Sequence, residues 1–188
     1  MPDPVDERDG PMPVKLIVCG GYGAGKTTFV GAISEIVPIT TEVPMTEVAM
    51  AVDTGAVLTK VATTVALDFG RISLDSGLVL YLFGTPGQSR FKFAWDNVSH
   101  GAIGAVIMVD SRRLDDAFPS VDFCEARGIP FAIAVNRFDG NLAHGLEEIR
   151  AALVLDQRVP ILGIDARSRA DAKGTLIALV LHALQGTT

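Results

Sequence analysis

The stretch GGYGAGKT, residues 20–27, is the feature of this chain that most constrains its fold. It fits the pattern G-x-x-x-x-G-K-[ST], with Gly20, Gly25, Lys26 and Thr27 at the fixed positions. In such a loop the backbone N–H groups point inward, and the helix N-terminus behind it favours anions. We expect Lys26 to reach the β- and γ-phosphates of a nucleoside triphosphate and the Thr27 hydroxyl to bind Mg²⁺. The expected phosphate-binding residues are Gly21, Gly23, Ala24, Gly25, Lys26, Thr27 and Thr28.

The rest of the chain alternates apolar runs with helical segments, which is typical of a mainly parallel sheet covered on both faces. The predicted strands are 14–19, 64–74, 78–83, 103–110, 130–136 and 159–165. Helices are predicted over 26–36, 119–127 and 171–185, and around the apolar positions Leu142, Leu146, Ile149 and Leu153. A glycine-containing turn at 75–77 predicts a hairpin. The predicted fold is α/β, a three-layer P-loop NTPase fold whose mainly parallel six-stranded sheet has one antiparallel edge strand.

The length of 188 residues suits a single domain. Residues 1–13 are rich in Pro, Asp and Glu, and we expect a disordered tail there before a domain spanning 14–188. The net charge of −6 gives no indication of nucleic-acid binding. We expect a cytoplasmic protein that reaches a membrane only through a partner. The cysteine content is low, and the sequence has neither a long apolar run nor a lipidation pattern.

The tetrapeptide NRFD, residues 136–139, ends a predicted strand. Here the Asp139 carboxylate can accept hydrogen bonds from N1–H and the 2-amino group of guanine, whereas adenine has no donors at these positions. Asn136 is expected to tie this loop to the phosphate loop. Asn and Asp also favour ordinary turns after strands, so the tetrapeptide alone is a weak signal. Its place one strand–helix unit after IMVD, residues 107–110, strengthens the prediction of a guanine nucleotide.

These motifs resemble those of the Ras-like small GTPases over the whole chain apart from the tail. TVALDF, residues 64–69, resembles the switch I motif of the Rab and Arf branches, which implies that Thr64 senses Mg²⁺ and the γ-phosphate. GTPGQ, residues 84–88, resembles the D-x-x-G-Q motif. This resemblance implies that the Gly87 N–H meets the γ-phosphate and that Gln88 orients the attacking water.

The base-binding motifs carry the same resemblance. NRFD is similar to the family's N-K-x-D motif, with Arg137 in place of lysine. DAR is similar to S-A-K and implies that Asp165, Ala166 and Arg167 contribute to the base site, with the Ala166 N–H meeting guanine O6. Arginine stems can still stack along a base, so we expect guanine specificity to survive both replacements of lysine.

Longer blocks are similar to the GTPases encoded in the actinobacterial four-gene units called conservons. These blocks are GGYGAGKTTFVGAISEI, TTVALDFGRI, LYLFGTPGQSRF and VNRFDG. In that family the GTPase operates beside a roadblock-type protein and a histidine-kinase-like protein. The resemblance implies these two classes of protein as partners.

Two departures from the family pattern are informative. Gly84 stands where the general pattern has an aspartate that orders the Mg²⁺ shell through water. We expect weaker metal binding or another carboxylate in that task. Asp53 and Asp68 are candidates, although the pattern favours an ordinary outward-facing strand residue for Asp68. The long separation of Thr27 from Thr64 resembles Arf-like and bacterial gliding-motility GTPases, in which added structure moves between nucleotide states.

The sequence leaves three hypotheses about function. The first is a GTP-binding switch that hydrolyses GTP slowly and signals through two switch regions, 38–64 and 84–99. The second is a nucleotide-locked scaffold, which Gly84 favours and Gln88 disfavours, and the third is a P-loop ATPase or kinase of another branch.

Arg90 is either an arginine finger in cis or an exposed residue. Phe91, Phe93 and Trp95 either form a partner surface or pack against the core.

Overall fold

The computed structural model describes residues 11–37, 39–48, 60–74, 77–87 and 93–186. Within these ranges seven strands form one sheet in the order β2-β3-β4-β1-β5-β6-β7. The strands are β1 (Met12–Gly20), β2 (Ile39–Val48), β3 (Lys60–Leu74), β4 (Leu78–Gly84), β5 (Ala102–Asp110), β6 (Phe131–Asn136) and β7 (Ile161–Ile164). The helices are α1 (Lys26–Ile33), α2 (Phe93–Ser99), α3 (Phe118–Ala126), α4 (Leu146–Ala152) and α5 (Arg169–Gln185), with a 3₁₀ turn at Leu114–Asp116.

The central strand β1 is buried on both faces because helices cover the sheet on each side. Leu16 and Val18 belong to one apolar cluster with residues of α1 and α5. Ile17 and Cys19 point to the other face and pack with residues of α3 and α4. This alternation along a strand with two buried faces explains why VKLIVC is a continuous apolar run.

The α/β fold class is confirmed, and the strand orientations agree with the prediction. Strands β1, β4, β5, β6 and β7 pair in parallel, whereas β3 runs antiparallel to β4. All six predicted strands are present. A seventh strand, β2, pairs antiparallel with β3 and takes the edge of the sheet, within a segment whose sequence shows no clear period.

Several predicted boundaries shift by a few residues. β1 begins at Met12, where the Met12 N–H donates to the Gly77 carbonyl at 2.8 Å, so two residues assigned to the tail belong to the strand. Helix α1 ends at Ile33 rather than at residue 36. Helix α4 begins at Leu146, so Leu142 precedes it while still packing on the core. Residues 1–10 lie outside the described part of the chain.

The parallel strands place the loops that follow β1, β4, β5, β6 and β7 at one edge of the sheet. In an open α/β sheet this carboxyl edge is where ligands bind. The phosphate loop, GTPG (84–87), NRFD and DAR all lie there, so the fold brings together the motifs that the sequence analysis singled out.

Candidate nucleotide-binding site

The phosphate loop begins where β1 approaches β5 most closely. Gly20 has φ +127°, and a Cβ built on it would lie 2.1 Å from the Met108 carbonyl oxygen. Gly23 and Gly25 also have positive φ values, +75° and +104°. L-residues with a side chain rarely adopt these conformations, so the glycines allow the tight turn that directs N–H groups toward an anion.

Lys26 is buried beneath this loop. Its Nζ donates hydrogen bonds to the carbonyl oxygens of Gly20, at 3.0 Å, and Gly21, at 2.7 Å. Burial lowers the pKa of the Lys26 ammonium group, and the nearby Cys19 and Asp68 act against that shift. The geometry places the lysine at the phosphate loop, as the motif predicts.

Helix α1 begins directly after the loop, and the residue before it, Gly25, has no side chain that could cap the helix. The N–H groups of the first turn, at Lys26, Thr27 and Thr28, therefore face the loop opening with the positive end of the helix dipole behind them. This arrangement is suited to binding a phosphate group.

Thr27 contacts a carboxylate that comes from a different element. The Thr27 Oγ1 hydroxyl donates to Asp68 Oδ2 at 2.5 Å. Asp68 lies on β3, directly opposite Gly84 of β4. A Cβ built on Gly84 would lie 3.0 Å from the Asp68 Cβ and 3.2 Å from its Oδ2. The Asp68 side chain thus occupies the space in front of Gly84, the position at which the family pattern has its aspartate.

The loop after β4 reaches the phosphate loop. A Cβ built on Gly87 would lie 2.5 Å from Lys26 Nζ and 2.9 Å from both the N and the Cα of Tyr22. Gly87 therefore lies beside the lysine, as expected of a residue that meets the γ-phosphate, and only a glycine fits there.

The other predicted catalytic and switch residues are placed only in part. Thr64 lies on β3 opposite Pro44 of β2, in a stretch whose side chains the structure does not describe. Asp53, Gln88, Arg90 and Phe91 lie outside the described residues. Their roles remain predictions.

Asn136 joins the phosphate loop to the loop after β7. Its Nδ2 donates to the Ala24 carbonyl at 3.2 Å, and its Oδ1 accepts from the Ala166 N–H at 3.1 Å. The first contact agrees with the role predicted for Asn136. The second differs from the prediction for Ala166, because this N–H, expected to meet guanine O6, is already bonded to Asn136. Binding of O6 would require the amide to be shared or released.

A cavity of about 190 Å³ lies beside this bridge. It is lined by Gly23, Gly25, Thr28, Asn136, Arg137, Phe138, Asp139, Asp165, Ala166 and Arg167. Asp139 has φ +53°, a left-handed conformation that aspartate tolerates better than most residues. The structure thus brings the NRFD and DAR motifs together around one cavity next to the phosphate loop.

The two arginines that replace lysines are held by neighbouring groups. Arg137 Nη2 donates to the Gly163 carbonyl at 2.5 Å and lies 3.8 Å from Asp171 Oδ2. Arg167 pairs with Asp165, with Nη2 2.8 Å from Oδ2. These hydrogen bonds lower the pKa of the Asp165 carboxyl to about 2. The Asp165 carboxylate therefore stays ionised at neutral pH and keeps Arg167 at the mouth of the cavity.

Trp95 is 4% exposed and packs in a T-shaped contact with Phe123. Its Nε1–H donates to the Pro86 carbonyl at 3.1 Å, which joins α2 to the loop after β4. In this structure Trp95 therefore packs as the second alternative predicts, and a partner surface exposed in another nucleotide state stays a prediction. The side chain of Phe93 is not described.

The sequence analysis missed a charged cluster that follows β5. The Arg113 guanidinium donates to the Tyr22 carbonyl at 2.7 Å. A Cβ built on Gly21 would lie 2.5 Å from the Asp116 Cβ, so the 3₁₀ turn packs against the phosphate loop. The available signal was the polar run SRRLDD directly after a buried strand that ends at the same sheet edge.

Comparisons with solved structures support this description of the fold. The G domain of the T. maritima FeoB iron transporter aligns with a TM-score of 0.63 and 16% identity, covering 91% of this chain and 99% of that one. The FeoB G domain of Methanococcus jannaschii aligns with a TM-score of 0.61 and 13% identity, covering 92% and 99%. The fold and the phosphate loop define this chain as a P-loop nucleotide-binding protein.

Sequence comparison gives the family. A family model described as "Conserved hypothetical ATP binding protein" matches residues 18–186. The chain belongs to this family. It is also 27% identical over 128 residues to an uncharacterised protein of Methanocaldococcus jannaschii, an alignment that covers 67% of this chain and 71% of that protein.

The described residues contain no group of three or more His, Cys, Asp or Glu side chains that could hold a metal ion. Nor do they include a helix with both the length and the apolar character needed to cross a membrane.

Proposed function

We propose that this protein is a GTP-binding switch with slow intrinsic GTP hydrolysis. The observation that carries the proposal is the cavity beside the phosphate loop, with Asn136 bridging the two and Asp139 in its wall. Guanine offers two donors, N1–H and the 2-amino group, to a carboxylate in that wall, whereas adenine offers none. The family description names ATP, so the identity of the base is the first point to test.

The phosphate loop binds and orients the triphosphate. Its N–H groups, Lys26 and the start of α1 supply the positive charge that phosphoryl transfer to water requires. Gly87 lies beside Lys26, where its N–H donates to the γ-phosphate. Gln88, the next residue, orients the attacking water. These residues position the reactants and stabilise charge. Without a further cationic group, such as an arginine finger, hydrolysis in this class is slow.

Thr27 and Asp68 are suited to hold Mg²⁺. A metal ion of this kind binds one or two protein oxygens, substrate phosphates and water, so it needs no larger carboxylate cluster. The Thr27 hydroxyl and the Asp68 carboxylate are 2.5 Å apart. With Mg²⁺ present, Thr27 would ligate the ion, Asp68 would hold its water shell in place of the aspartate missing at Gly84, and Thr64 would join in the GTP-bound state. When bound, the ion neutralises charge on the β- and γ-phosphate oxygens.

Signalling follows from loss of the γ-phosphate. When that phosphate leaves, Gly87 is released, and helix α2 is released with it through the contact between Trp95 and Pro86. The region 38–64 is released at the same time through Thr64. Partners distinguish the two states by these regions. The resemblance to conservon GTPases favours a roadblock-type and a histidine-kinase-like protein as partners, in the cytoplasm or at a membrane through one of them.

The test starts from the protein as purified. One sample is denatured, and any released nucleotide is identified by chromatography. A second, native sample is loaded with GTP or ATP and Mg²⁺, and the release of phosphate is followed. Bound GDP and slow release from GTP alone are expected. Adenine nucleotide in the protein, with ATP preferred in loading, would contradict the role of Asp139.

A scaffold that holds GTP without turnover is the second candidate function. Gly84 favours it, because the residue itself has no carboxylate for the metal shell. Bound GTP that persists for hours with Mg²⁺, alone and with candidate partners, would support the scaffold and contradict the switch.

A further inference from the structure

We propose that Arg113 is a positioning residue that holds the phosphate loop in its anion-binding conformation. This inference rests on the proposed function only in assuming that the loop binds phosphate. It concerns a residue outside the sequence motifs, located after β5 rather than in the loop itself.

Each nitrogen of the Arg113 guanidinium faces its own partner. Nη2 donates to the Tyr22 carbonyl at 2.7 Å. Nε lies 3.7 Å from Asp110 Oδ2, and Nη1 lies 3.6 Å from Asp116 Oδ2. Asp110 is 4% exposed at the end of a core strand. Its carboxylate accepts hydrogen bonds from the Arg112 guanidinium at 2.9 and 2.8 Å and attracts Arg113 at longer range. The planar guanidinium suits this arrangement, because its donors point in fixed, divergent directions.

The contact with Tyr22 determines where the next N–H points. The peptide bond between Tyr22 and Gly23 is planar and trans, so its carbonyl and its N–H point in opposite directions. Arg113 fixes the direction of the Tyr22 carbonyl, and the Gly23 N–H is therefore held in the opposite direction. A charged donor on the carbonyl also polarises the peptide, which strengthens the N–H as a donor to phosphate.

The surrounding contacts restrict the loop further. A Cβ built on Gly23 would lie 3.3 Å from Arg113 Nη2, so a side chain at this position would press on the guanidinium. The backbone of the turn is closed by the Arg113 N–H, which donates to the Asp110 carbonyl at 2.9 Å. The loop thus meets a preformed support, and preorganisation of this kind lowers the entropy lost when a ligand binds.

The test compares Arg113→Ala and Arg113→Lys with a control, Arg158→Ala. Like Arg113, Arg158 pairs with an aspartate close in sequence, Asp156, but it lies outside the candidate site and its side chain is 84% exposed. The first readout is ¹⁵N relaxation of the nucleotide-free full chain. We expect the Gly23 and Tyr22 amides to have order parameters near 0.85 in the wild type and below about 0.6 in Arg113→Ala, with no change in Arg158→Ala.

The second readout is kinetic. Loss of a hydrogen bond from a charged donor predicts GDP release on the order of tenfold faster in Arg113→Ala, with an intermediate rate in Arg113→Lys, which keeps the charge but only one nitrogen. Single-turnover GTP hydrolysis should slow together with the loss of loop order, because the loop N–H groups that Arg113 positions also stabilise charge on the transferred phosphoryl group.

Two results would overturn the inference. Unchanged order parameters in Arg113→Ala would show that the loop needs no support from Arg113. Loss of single-turnover hydrolysis with unchanged order parameters would show that Arg113 acts on the phosphates directly. If the wild type binds no nucleotide, the proposed function fails, and the relaxation measurement still decides the inference.

Discussion

At the scale of single residues, the main departure from the expected motif concerns one carboxylate and two paired positions. Gly84 stands where the family pattern has an aspartate, while Asp68, its partner across the β3–β4 pair, contacts Thr27. Because residues 68 and 84 are paired across the two strands, a carboxylate at either position could reach the same space. The pairing also suggests that the two positions can be swapped.

The swap gives the first prediction. Asp68→Asn is expected to speed GDP release in Mg²⁺ toward the rate seen with a chelator, because the hydroxyl of Thr27 loses its charged partner. The double variant Asp68→Gly with Gly84→Asp should restore slow release, since removal of the Asp68 side chain frees the space in front of residue 84. The control is Asp122→Asn, which changes an exposed aspartate on α3. Wild-type Mg²⁺ dependence in Asp68→Asn would contradict the assignment.

The second prediction concerns the base. Asp139→Asn should weaken GDP binding by at least about tenfold, because the amide offers one acceptor where guanine needs two. The fold should be unchanged, since Asp139 lies in a loop at the mouth of the cavity. Titration with a fluorescent GDP analogue measures the affinity, and circular dichroism checks the fold. Equal GDP affinity in the variant and the wild type would exclude Asp139 from base recognition.

At the scale of elements, two glycines show how helix packing limits substitution. Gly70 of β3 faces α1, and a Cβ built on it would lie 2.7 Å from Val30 Cγ1. Gly174 lies within α5, where a built Cβ meets no described atom within 4 Å. The same change to alanine therefore has opposite expected effects at these two positions.

The third prediction follows from this pair. Gly70→Ala should reduce the free energy of unfolding by about 1–3 kcal/mol, because Val30 is fully buried and α1 must move to make room. Gly174→Ala should raise it by about 0.5–1 kcal/mol through better helix propensity. Urea denaturation of both variants beside the wild type measures the two changes. Destabilisation of similar size in both would contradict the packing argument.

The fourth prediction uses the contact between α2 and the loop after β4. Trp95 is the one tryptophan of the chain, and its Nε1–H donates to the Pro86 carbonyl. If the Gly87 loop moves with the γ-phosphate, the environment of this indole changes, and tryptophan emission should differ between the GDP-bound and GTP-analogue-bound protein. The variant Trp95→Phe, which removes the signal, is the control. Identical spectra in the two states would indicate that α2 does not respond to the nucleotide.

At the scale of the whole molecule, the candidate site is formed by loops from five parallel strands at one sheet edge. A ligand that contacts several of these loops links elements far apart in sequence. Binding to the native state alone raises the free energy of unfolding in proportion to the logarithm of ligand concentration over Kd.

The fifth prediction is a thermal shift. GDP with Mg²⁺ at a hundred times its Kd should add about 2.7 kcal/mol to the free energy of unfolding. For a chain of 188 residues this corresponds to a rise in Tm of about 5–10 °C. Differential scanning calorimetry measures it, with ADP at the same concentration as the comparison. A larger shift with ADP than with GDP would favour an adenine nucleotide.

The sequence predicts the fold well because the strands that form the middle of the sheet are continuous apolar runs and the phosphate loop has a fixed glycine spacing. It does not predict β2, since an edge strand lacks the strong apolar pattern of a strand buried on both faces. Arg113 is beyond motif analysis, and motif analysis gives Asp68 only as one of two candidates, for another reason. Their contacts depend on which residues meet across strand pairs and turns, and local sequence does not contain that information.

The Asp68–Gly84 pairing has a consequence for how relatives of this chain are recognised. A pattern search that demands aspartate at the end of β4 passes over any protein in which the neighbouring strand carries it instead. Such a search would classify the chain as lacking this carboxylate, although Asp68 lies opposite Gly84 and contacts Thr27. A search for an acidic residue at either position of the pair would recover both arrangements, and it would separate chains that have moved this group from chains that have lost it.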